Sequence, residues 1–573
     1  MEKKWRIRDY AEAGELKYLS QALNIQEVLA NLLLQRGIKT YDEAKQFFRP
    51  NLYNHLHDPF LMKDMDLAVE RLQKSIENNE RILVYGDYDV DGTTSVSLVY
   101  LFIKDFHKNV DYYIPDRYSE GYGISTEGID FAKKNDYSLI IALDCGIKAV
   151  DKIEYAKSQG VDFIICDHHN PGVDIPNAVA VLDPKRVDCE YPFKELSGCG
   201  VGFKFLQAYS IAYKVPFYKL EPFLDLVAVS IASDIVPIIG ENRILAFHGL
   251  KQLNENPSTG LKSIIKFAGL ENKDITISDI VFKIGPRINA AGRISTGTKS
   301  VELLVAGNDT SAKQYGFNIN SINNERRELD QQITINAINT IENDQLLKSK
   351  KSTVLYNSTW HKGVIGIVAS RLSEHYYRPT VILTESNGFA TGSARSVDGF
   401  DLYQAIENCS DLLENFGGHM YAAGLTMKIE NISEFERRFN QYVSKNITLE
   451  QQTPIIHIDV ELRLNEITPK FYKILKQFAP FGPGNMSPVF LSENVSDFGT
   501  GKKVGKDETH MKLDLMENDN STCVIPAIAF QQAEHFHIIK QRIPFSIVYS
   551  IDENEFRGKT NIQLMIKDIK YDF

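Results

Sequence analysis

Between residues 81 and 183, short apolar runs alternate with longer segments whose apolar residues recur every three or four positions. The apolar runs predict buried strands, which we place at 82–84, 110–114, 139–143, 162–166 and 178–182. The periodic segments predict helices, at 96–106, 126–134 and 150–159. Strands that alternate with helices in this way predict a parallel sheet with helices on both faces.

Polar side chains that can bind metal follow three of the predicted strands directly. They are Asp87, Asp89 and Asp91 after the first strand, Asp144 after the third, and Asp167, His168 and His169 after the fourth. Ligands of open α/β sheets bind beyond the carboxyl ends of the strands. We therefore expect these side chains to meet at one edge of the sheet.

The turn at 86–92 concentrates negative charge. Residues two apart in an extended backbone point to the same side, so Asp87, Asp89 and Asp91 are expected to lie together. Buried anions are normally paired or coordinated, and divalent metal is their simplest partner here. The spacing also opens like a calcium-binding EF-hand loop, but that loop needs Glu at its twelfth position, where Leu98 stands. A solvated acidic turn is the other alternative, which the later acidic turns weaken.

A further carboxylate, Asp234, lies near the end of segment 224–235, which is apolar at almost every position. It is either a helix-terminal group facing water or a ligand that an apolar helix carries to the edge of the core. The candidate metal ligands are then Asp87, Asp89, Asp91, Asp144, His168 and Asp234. Carboxylates with imidazole suit Mn²⁺ or Mg²⁺ better than a thiolate-loving metal. Since these ligands are too many for one such ion with open positions, we expect two ions, which clamp both oxygens of a phosphoryl displacement.

Particular roles follow within this cluster. Asp144 is the candidate bridging ligand, because it is a lone carboxylate at a central strand end. His169 is expected to face the phosphate or to act as an acid, which adds it to the catalytic set, and Asp167 is expected to orient a histidine. The chain has no Gly-Lys-Ser/Thr phosphate loop, so use of a nucleoside triphosphate is not indicated, and it has no serine nucleophile elbow.

The rest of the chain predicts further parts. Residues 1–75 show helical spacing and no visible chemistry. The charged stretch 312–347 predicts one long helix that joins two lobes. A second α/β pattern begins near residue 352. From about residue 455, short strands with a turn at 552–554 predict a small barrel.

Three segments rich in small residues offer donors for a phosphate group. They supply Arg287 and Arg293, Ser393 and Arg395, and His419. A guanidinium fork suits phosphate, and the glycines of these segments let a backbone approach a ligand closely. Each segment alone is also typical of an ordinary turn.

Composition sets limits on the class of protein. A chain of 573 residues has room for three or four domains, and its hydrophobic 43% and charged 24% are ordinary for a soluble globular protein. The net charge of −11 argues against a protein that coats nucleic acid with a basic surface, but leaves room for a local basic groove. Six scattered cysteines are typical of reduced thiols in a cytosolic protein. Neither an apolar signal core nor a membrane-spanning run is visible.

Taken together, the motifs resemble the DHH phosphoesterase superfamily, and within it the RecJ family of bacterial single-strand-specific 5′→3′ DNA exonucleases. The superfamily motif is carried by 86–92 and 167–169. Segments similar to RecJ extend from about residue 50 to the end of the sequence, at 115–117, 120–123, 197–201, 287–293, 360–366 and 417–419. One departure is Tyr85, which stands where many superfamily relatives have a histidine, so this position is not expected to supply a ligand.

The resemblance implies an α/β fold. It consists of a parallel-sheet DHH domain, a second α/β DHH-associated domain joined by a long helix, and a C-terminal β-barrel of the OB-fold type. The expected divisions are an N-terminal helical region at 1–75, the DHH metal-binding catalytic domain at 76–310, the linking helix at 311–350, the DHH-associated domain at 351–452 and the OB-fold at 453–573.

The implied activity is hydrolysis of phosphodiester bonds in single-stranded DNA from the 5′ end, by two ions of Mn²⁺ or Mg²⁺, in cytoplasmic DNA repair and recombination. Arg117, Ser393 and Arg395, with Arg287 or Arg293, resemble the pocket for the 5′ phosphate, and His419 completes the substrate-binding set. Single-strand-binding protein and a helicase are the expected protein partners, with no membrane. Stacking of bases is a candidate role for Tyr112, Tyr113, Tyr118 and Tyr122, although core or surface positions are commoner for tyrosine.

Two other functions share part of this pattern. A DHH phosphodiesterase that acts on short oligonucleotides or cyclic dinucleotides is the alternative enzyme, but such relatives usually lack the barrel. A binding module that has lost catalysis is predicted to lack ligands, and here all of them are present.

Overall fold

The structure is a computed structural model that describes residues 2–518, 520–556 and 558–571. Its strands are β1 (Lys4–Ile7), β2 (Arg81–Gly86), β3 (Val110–Tyr113), β4 (Tyr137–Leu143), β5 (Asp162–Cys166), β6 (Ala180–Leu182), β7 (Thr353–Tyr356), β8 (Thr380–Ser386), β9 (Phe389–Arg395), β10 (Leu413–His419), β11 (Ala422–Met427), β12 (Ile455–Ile458), β13 (Val460–Glu461), β14 (Phe490–Asp497), β15 (Lys502–Val504), β16 (His510–Glu517), β17 (Asn520–Ala529), β18 (Phe545–Phe556) and β19 (Lys559–Lys570).

Its α-helices are α1 (Ala13–Leu23), α2 (Glu27–Leu34), α3 (Tyr41–Phe48), α4 (Met65–Glu77), α5 (Val90–Phe106), α6 (Thr126–Lys134), α7 (Val150–Ser158), α8 (Gly198–Ala212), α9 (Leu224–Ser233), α10 (Gly240–Glu255), α11 (Thr259–Phe267), α12 (Ile277–Asp279), α13 (Gly285–Ile294), α14 (Thr298–Leu304), α15 (Asp309–Glu342), α16 (Gln345–Ser349), α17 (Ile365–Tyr376), α18 (Leu402–Glu407), α19 (Ile432–Asn446), α20 (Pro469–Lys476) and α21 (Phe536–Ile539). No helix in the described part of the chain is long and apolar enough to cross a membrane.

Contacts divide the chain into two compact units. The larger unit comprises Trp5–Gly285, Val301–Ala312 and Ile456–Phe573. The smaller unit comprises Met1–Lys4, Pro286–Ser300 and Lys313–Ile455. The first turn of α15 belongs to the larger unit and the rest of this helix to the smaller one.

The larger unit contains a five-stranded parallel sheet in the order β3-β2-β4-β5-β6. Its strands read as apolar runs because both faces are covered. Residues of α6 and α7 belong to a hydrophobic core on one face of the sheet. Helices α5 and α8 also contact strands of this sheet. Gly86 pairs with Leu143, Leu143 with Cys166, and Cys166 with Leu182, so four strands end in one row.

A second sheet of the larger unit closes into a barrel. β14, β18, β19, β17 and β16 form a ring, because β16 pairs back to β14, while β13 and β15 extend it. Leu29, Leu32 and Leu33 of α2 belong to the same buried core as barrel residues such as Phe490 and Tyr549. The N-terminal helices therefore complete the hydrophobic core of the barrel.

The smaller unit has a five-stranded sheet in the order β10-β11-β9-β8-β7. β7 and β8 are parallel, and the remaining neighbours are antiparallel. Helix α19 contributes Phe435, Phe439 and Val443 to the core on one face. Helix α17 contributes Val368 and Leu372 to a separate core that includes Ile382 of β8.

The predicted fold class is confirmed, but several local predictions were wrong. Helix α5 begins at Val90 rather than Val96, so the acidic turn is shorter than expected. The segment with Arg287 and Arg293 is helix α13, not a turn. A π-helical turn at Ile280–Ile284 precedes it, next to Pro286, which has no N–H to donate to the preceding helical turn.

The remaining errors concern segments that were expected to be turns and the end of the long helix. Segments 392–396 and 416–424 lie largely in β9, β10 and β11, because flanking strands supply hydrogen bonds that local sequence does not reveal. The turn predicted at 552–554 lies inside β18, which continues to Phe556. The long helix spans Asp309–Glu342 and stops earlier than predicted, because Asp344 caps a new helix, α16.

Candidate metal centre and phosphate pocket

The row of strand ends in the larger unit positions four carboxylates. Asp87, Asp144, Asp167 and Asp183 follow β2, β4, β5 and β6, respectively. Asp144 adopts a left-handed backbone with φ of 58°, and its N–H donates to the Cys166 carbonyl at 2.9 Å. Asp183 is not among the candidate ligands, although it follows the last predicted strand in the same way.

The acidic turn is not uniformly extended. Asp89 is the N-cap of α5, where its carboxylate accepts a hydrogen bond from the Gly92 N–H at 3.0 Å. Asp91 already lies in the first helical turn. The expectation that alternation along an extended chain brings the three aspartates together was therefore wrong for Asp91, whose direction is set by the helix.

Asp91 is fixed by three hydrogen bonds. Its Oδ2 accepts from the Gly198 N–H at 2.7 Å, and its Oδ1 accepts from the Cys199 N–H at 2.9 Å and from the Ser230 hydroxyl at 2.7 Å. The two N–H groups begin helix α8, where the helix dipole favours an anion. Asp91 is thus held in place by protein, with Oδ2 still facing the cluster.

The histidine of the cluster, His168, lies among three carboxylates. Its Nε2 is 3.1 Å from Asp144 Oδ1, 3.6 Å from Asp234 Oδ2 and 3.7 Å from Asp91 Oδ2. Asp91, His168 and Asp234 offer ligand atoms within 4.8 Å of one another, as do Asp144, His168 and His169. The structure therefore brings together residues from four separated segments.

Several of these atoms are buried without a hydrogen-bond partner. Among the described residues, Asp144 Oδ1, Asp87 Oδ1 and both ring nitrogens of His168 have none. His168 Nε2 and Asp144 Oδ1 are close, yet they do not meet hydrogen-bond geometry. Asp144 Oδ1 and His168 Nε2, which are close together and unpartnered, fit ligands of a divalent cation.

Electrostatics also favour a positive charge beside these groups. Burial raises the pKa of Asp144 well above its ordinary value, and the charges of Asp91 and Asp89 raise it further. Burial raises the pKa of Asp234 to about 8, again with help from Asp91 and Asp89. The pKa of Asp87 is raised by burial and by Asp89. Burial lowers the pKa of His168, which favours the neutral imidazole that metals bind.

The second histidine is held differently. His169 Nδ1 lies 2.7 Å from Asp167 Oδ1, while Asp167 Oδ2 accepts from the Ile147 N–H at 2.9 Å. Burial alone would raise the pKa of Asp167, but the hydrogen bond and charge of His169 leave it below its ordinary value. Asp167 therefore orients His169. The distance from His169 Nδ1 to Asp144 Oδ1 is 4.0 Å.

Tyr85 serves the core rather than the cluster. Its hydroxyl donates to the Gly123 carbonyl at 2.8 Å and accepts from the Ser125 N–H at 3.1 Å. Its ring stacks on Tyr113 with centroids 5.4 Å apart. Tyr85, which stands where many superfamily relatives have a histidine, is therefore held by contacts within the core.

Arg117 is the predicted substrate residue that lies in the larger unit. Its guanidinium carbon lies 5.1 Å from the centroid of the Tyr88 ring. Its charge acts to lower the pKa of Asp87 against the larger effect of burial. Arg117 is thus close enough to the acidic cluster to hold an anion beside it.

The other predicted substrate residues lie in the smaller unit. Arg395 Nη1 donates to the Ser393 hydroxyl at 3.0 Å and to the Ala394 carbonyl at 2.7 Å. A side chain at Gly366, in the first turn of α17, would come within 3.1 Å of Ser393 Oγ and 3.3 Å of Arg395 Nη2. The two donors therefore lie against the N-terminus of a helix, an arrangement that favours anions.

Strand register places His419 beside this pair. Arg395 pairs with Ala422, and Ala422 pairs with His419 on its other side. In the next row Ser393 pairs with Gly424, which pairs with Gly417. Directly paired residues share a face of the sheet, so small residues form a floor between Ser393, Arg395 and His419.

Arg287 and Arg293 have separate surroundings in the smaller unit. Arg287 Nε donates to the Asn320 side chain at 3.1 Å, and burial with the charges of Arg327 and Arg326 lowers the pKa of Arg287. Arg293 Nη1 donates to the Gly363 carbonyl at 3.3 Å. Of the two, Arg293 contacts the loop that leads into α17.

Comparison with known families agrees with this geometry. The DHH family N-terminal domain matches residues 81–231, the DHHA1 domain matches 349–445 and the RecJ OB domain matches 458–568. These matches place the parallel sheet and its carboxylates in the class of DHH proteins.

Relatives with curated names extend the match over nearly the whole chain. The RecJ protein of Bacillus subtilis is 35% identical over 99% of this chain and 70% of its own length. The RecJ proteins of Haemophilus influenzae and Escherichia coli are 31% and 30% identical, over 92% and 95% of their lengths. All three are named single-stranded-DNA-specific exonucleases. The chain belongs to the RecJ family.

Solved structures agree on the fold. The RecJ of Thermus thermophilus in complex with Mn²⁺ has a TM-score of 0.84 at 24% identity and covers 100% of this chain and 80% of its own. A structure titled exonuclease RecJ bound to manganese has a TM-score of 0.59 at 28% identity, over 68% of this chain and 98% of its own. The predicted architecture is thereby confirmed.

Proposed function

We propose that this chain is a metal-dependent exonuclease that hydrolyses phosphodiester bonds of single-stranded DNA from the 5′ end. Family membership supports the nuclease class, and the curated relatives support the single-stranded substrate. One observation carries the proposal for this chain. Buried, unpartnered atoms of Asp144 and His168 converge with Asp91 and Asp234 at the carboxyl ends of the sheet, and the unpartnered Asp87 Oδ1 follows the neighbouring strand β2.

The donor set fits Mn²⁺ or Mg²⁺. Asp87, Asp89, Asp91, Asp144, His168 and Asp234 are the proposed ligands, and with His169 they are the proposed catalytic residues. Such hard oxygen donors with one neutral imidazole suit these ions. Two bound ions supply Lewis acidity, which activates a water and stabilises charge on the leaving oxygen.

The chain's own groups prepare the reaction. Asp91 is fixed by α8 and Ser230, so it needs no rearrangement to take part. Asp144 is held by a left-handed backbone directly beside Gly198. Asp167 holds His169 through Nδ1 and so fixes the ring, whose proposed role is to face the phosphate or to act as an acid.

The smaller unit supplies the second part of the proposal. Ser393, Arg395 and His419, with the N-terminus of α17, form a shallow anion site with a floor of small residues. We assign this site to the 5′ phosphate, together with Arg293 and Arg287. Arg117 of the larger unit is assigned to an anion near the acidic cluster.

The cellular role, the protein partners and the domain boundaries are proposed as well. We propose a cytoplasmic role in DNA repair and recombination, with single-strand-binding protein and a helicase as partners. We also propose the division into five parts at 1–75, 76–310, 311–350, 351–452 and 453–573. The alternative, a phosphodiesterase of short oligonucleotides or cyclic dinucleotides, does not account for the closed barrel at the C-terminus.

The test uses the full chain, because the N-terminal helices share a core with the barrel and a truncation would expose it. Nucleotide release is measured from 5′- and 3′-labelled single strands, from a blunt duplex and from cyclic dinucleotides, with Mn²⁺ or Mg²⁺. We expect early release of the 5′ label from single strands only. Asp144→Asn should abolish it, and Asp130→Asn, an exposed carboxylate elsewhere in the unit, should not. Equal hydrolysis of duplex, or preference for cyclic dinucleotides, would refute the proposal.

A further inference from the structure

Tyr122 contacts the second histidine of the cluster on the side opposite Asp167. Its hydroxyl oxygen lies 3.1 Å from His169 Nε2, while His169 Nδ1 lies 2.7 Å from Asp167 Oδ1. The imidazole is therefore held at both nitrogens. Sequence reasoning offered Tyr122 only as a candidate for stacking on a base.

The direction of the hydrogen bonds follows from chemistry. An ionised carboxylate can only accept, so His169 Nδ1 carries a proton toward Asp167. In a neutral imidazole the other nitrogen, Nε2, is then a bare acceptor. In that neutral form the Tyr122 hydroxyl donates to Nε2, whereas in the imidazolium it accepts from the Nε2 proton. In either form the two contacts fix the plane of the ring, and in the neutral form they also fix its tautomer.

The surroundings of Tyr122 hold the ring while leaving it accessible. Gly121 and Gly123, with φ of 89° and 80°, bracket it, and Tyr85 anchors the Gly123 carbonyl. The Tyr122 ring meets His169 and Tyr88 edge-on, with centroids 6.0 and 6.4 Å away. The exposed fraction of Tyr122 is nevertheless 58%. A tyrosine of the hydrophobic core would be buried, so the exposure of Tyr122 and its hydroxyl contact with His169 favour a role at the site.

We propose that Tyr122 is a positioning residue, whose hydroxyl holds the His169 imidazole in one tautomer and one orientation ready for the phosphate. This inference rests on the proposed function, since it acts through His169. It differs from a stacking role, which needs the ring and not the hydroxyl. The difference makes the two roles separable by one substitution.

Tyr122→Phe removes only the hydroxyl. We expect kcat on single-stranded DNA to fall ten- to a hundredfold, with KM within twofold and Mn²⁺ affinity unchanged. Tyr155→Phe is the matched control, because it removes a hydroxyl that donates to the surface residue Asp130 at 2.7 Å. A Tyr122→Phe variant as active as the original chain, combined with a defective Tyr122→Leu, would establish stacking and overturn the proposal.

A second measurement does not depend on activity. In the metal-free full chain with ¹⁵N-labelled histidine, the His169 ring should show the Nδ1–H tautomer, and Tyr122→Phe should shift its Nε2 signal toward that of an unbonded nitrogen. An unchanged Nε2 signal would refute the contact. If the chain has no nuclease activity, the proposed function fails, and this spectrum still tests the contact.

A double-mutant cycle completes the test. In a His169→Asn background, Tyr122→Phe should cause no further loss of nucleotide release, because the group through which it acts is gone. A second loss of similar size would show that Tyr122 acts independently of His169 and would overturn the proposal.

Discussion

His168 Nε2 lies 3.1 Å from Asp144 Oδ1, and both atoms are buried without forming a hydrogen bond to each other. With His169 they form a group whose ligand atoms lie within 4.8 Å of one another, as ligands of one cation do. Bringing them together without a cation has a cost, because burial and neighbouring carboxylates raise the pKa of Asp144.

Divalent ions should stabilise the folded chain. A ligand that binds only the folded state at a concentration 100 times its Kd adds about 2.7 kcal/mol to the free energy of unfolding. Thermal unfolding with Mn²⁺ and with chelator measures the difference, and Asp144→Asn should remove most of it. A similar rise of Tm in that variant would contradict a specific site.

Metal-free stability should fall as the pH rises from about 4 to about 8. The pKa of Asp234 is about 8 in the folded chain, above the ordinary 3.8, so the folded state binds more protons than the unfolded state in this window. The contribution is complete below the ordinary pKa and is lost as the pH rises through the folded value. Each unit of difference corresponds to about 1.4 kcal/mol. Denaturant unfolding in chelator measures the slope, which Asp234→Asn should flatten.

Gly198→Ala should impair activity more than stability. A Cβ at this position would lie 2.7 Å from Asp144 Cβ, so the carboxylate must move. A displacement of about 1 Å can reduce a rate by about 100-fold. Gly14→Ala in α1 is the control, since its nearest neighbour would be 4.0 Å away. Nucleotide release and Tm are compared; equal activity of the two variants would argue that Asp144 tolerates movement.

Gly424→Val should weaken binding of 5′-phosphorylated strands. The nearest atom to a Cβ there is the Gly392 carbonyl at 4.0 Å, so the side chain fits and fills the floor between Ser393 and Gly417. We expect KM for a 5′-phosphorylated strand to rise about tenfold, since one hydrogen-bonded anion contact is worth about 1.4 kcal/mol or more. A strand with a 5′ hydroxyl is the control substrate, and an equal rise for both would place the phosphate elsewhere.

Lys204→Met should destabilise the larger unit without touching the cluster. The buried ammonium donates to the His57 carbonyl at 2.7 Å and pairs with Glu241 at 3.1 Å. Removing one partner of a buried pair costs about 3–5 kcal/mol, because the other charge is left without compensation. The double variant with Glu241→Gln should recover part of the loss. Denaturant unfolding measures both; a loss below about 1 kcal/mol would indicate that water reaches Glu241.

The sequence was most informative where one local rule decides the structure. Helix 126–134 and strand 162–166 match the structure residue for residue, since apolar periodicity fixes them. The meeting of Asp144 and His168 followed from the rule that parallel strands end together.

Other features depend on distant partners. Asp91 owes its direction to the N–H groups of α8, more than 100 residues away in sequence, and no local pattern reveals that. Ser393 and Arg395 lie on a strand because β8 and β11 flank them. The contact of Tyr122 with His169 joins two loops, which periodicity does not describe.

The shared core of α2 and the barrel joins segments that are far apart in the sequence. Gln35 donates to the Asp459 carbonyl at 2.8 Å, and Trp5 donates to Asp568 at 2.7 Å. During synthesis on the ribosome, Leu29, Leu32 and Leu33 keep their apolar surface uncovered until the barrel strands emerge. Such long-range closure slows folding and exposes the nascent chain to aggregation, so chaperone supply should limit its yield in an overexpressing cell.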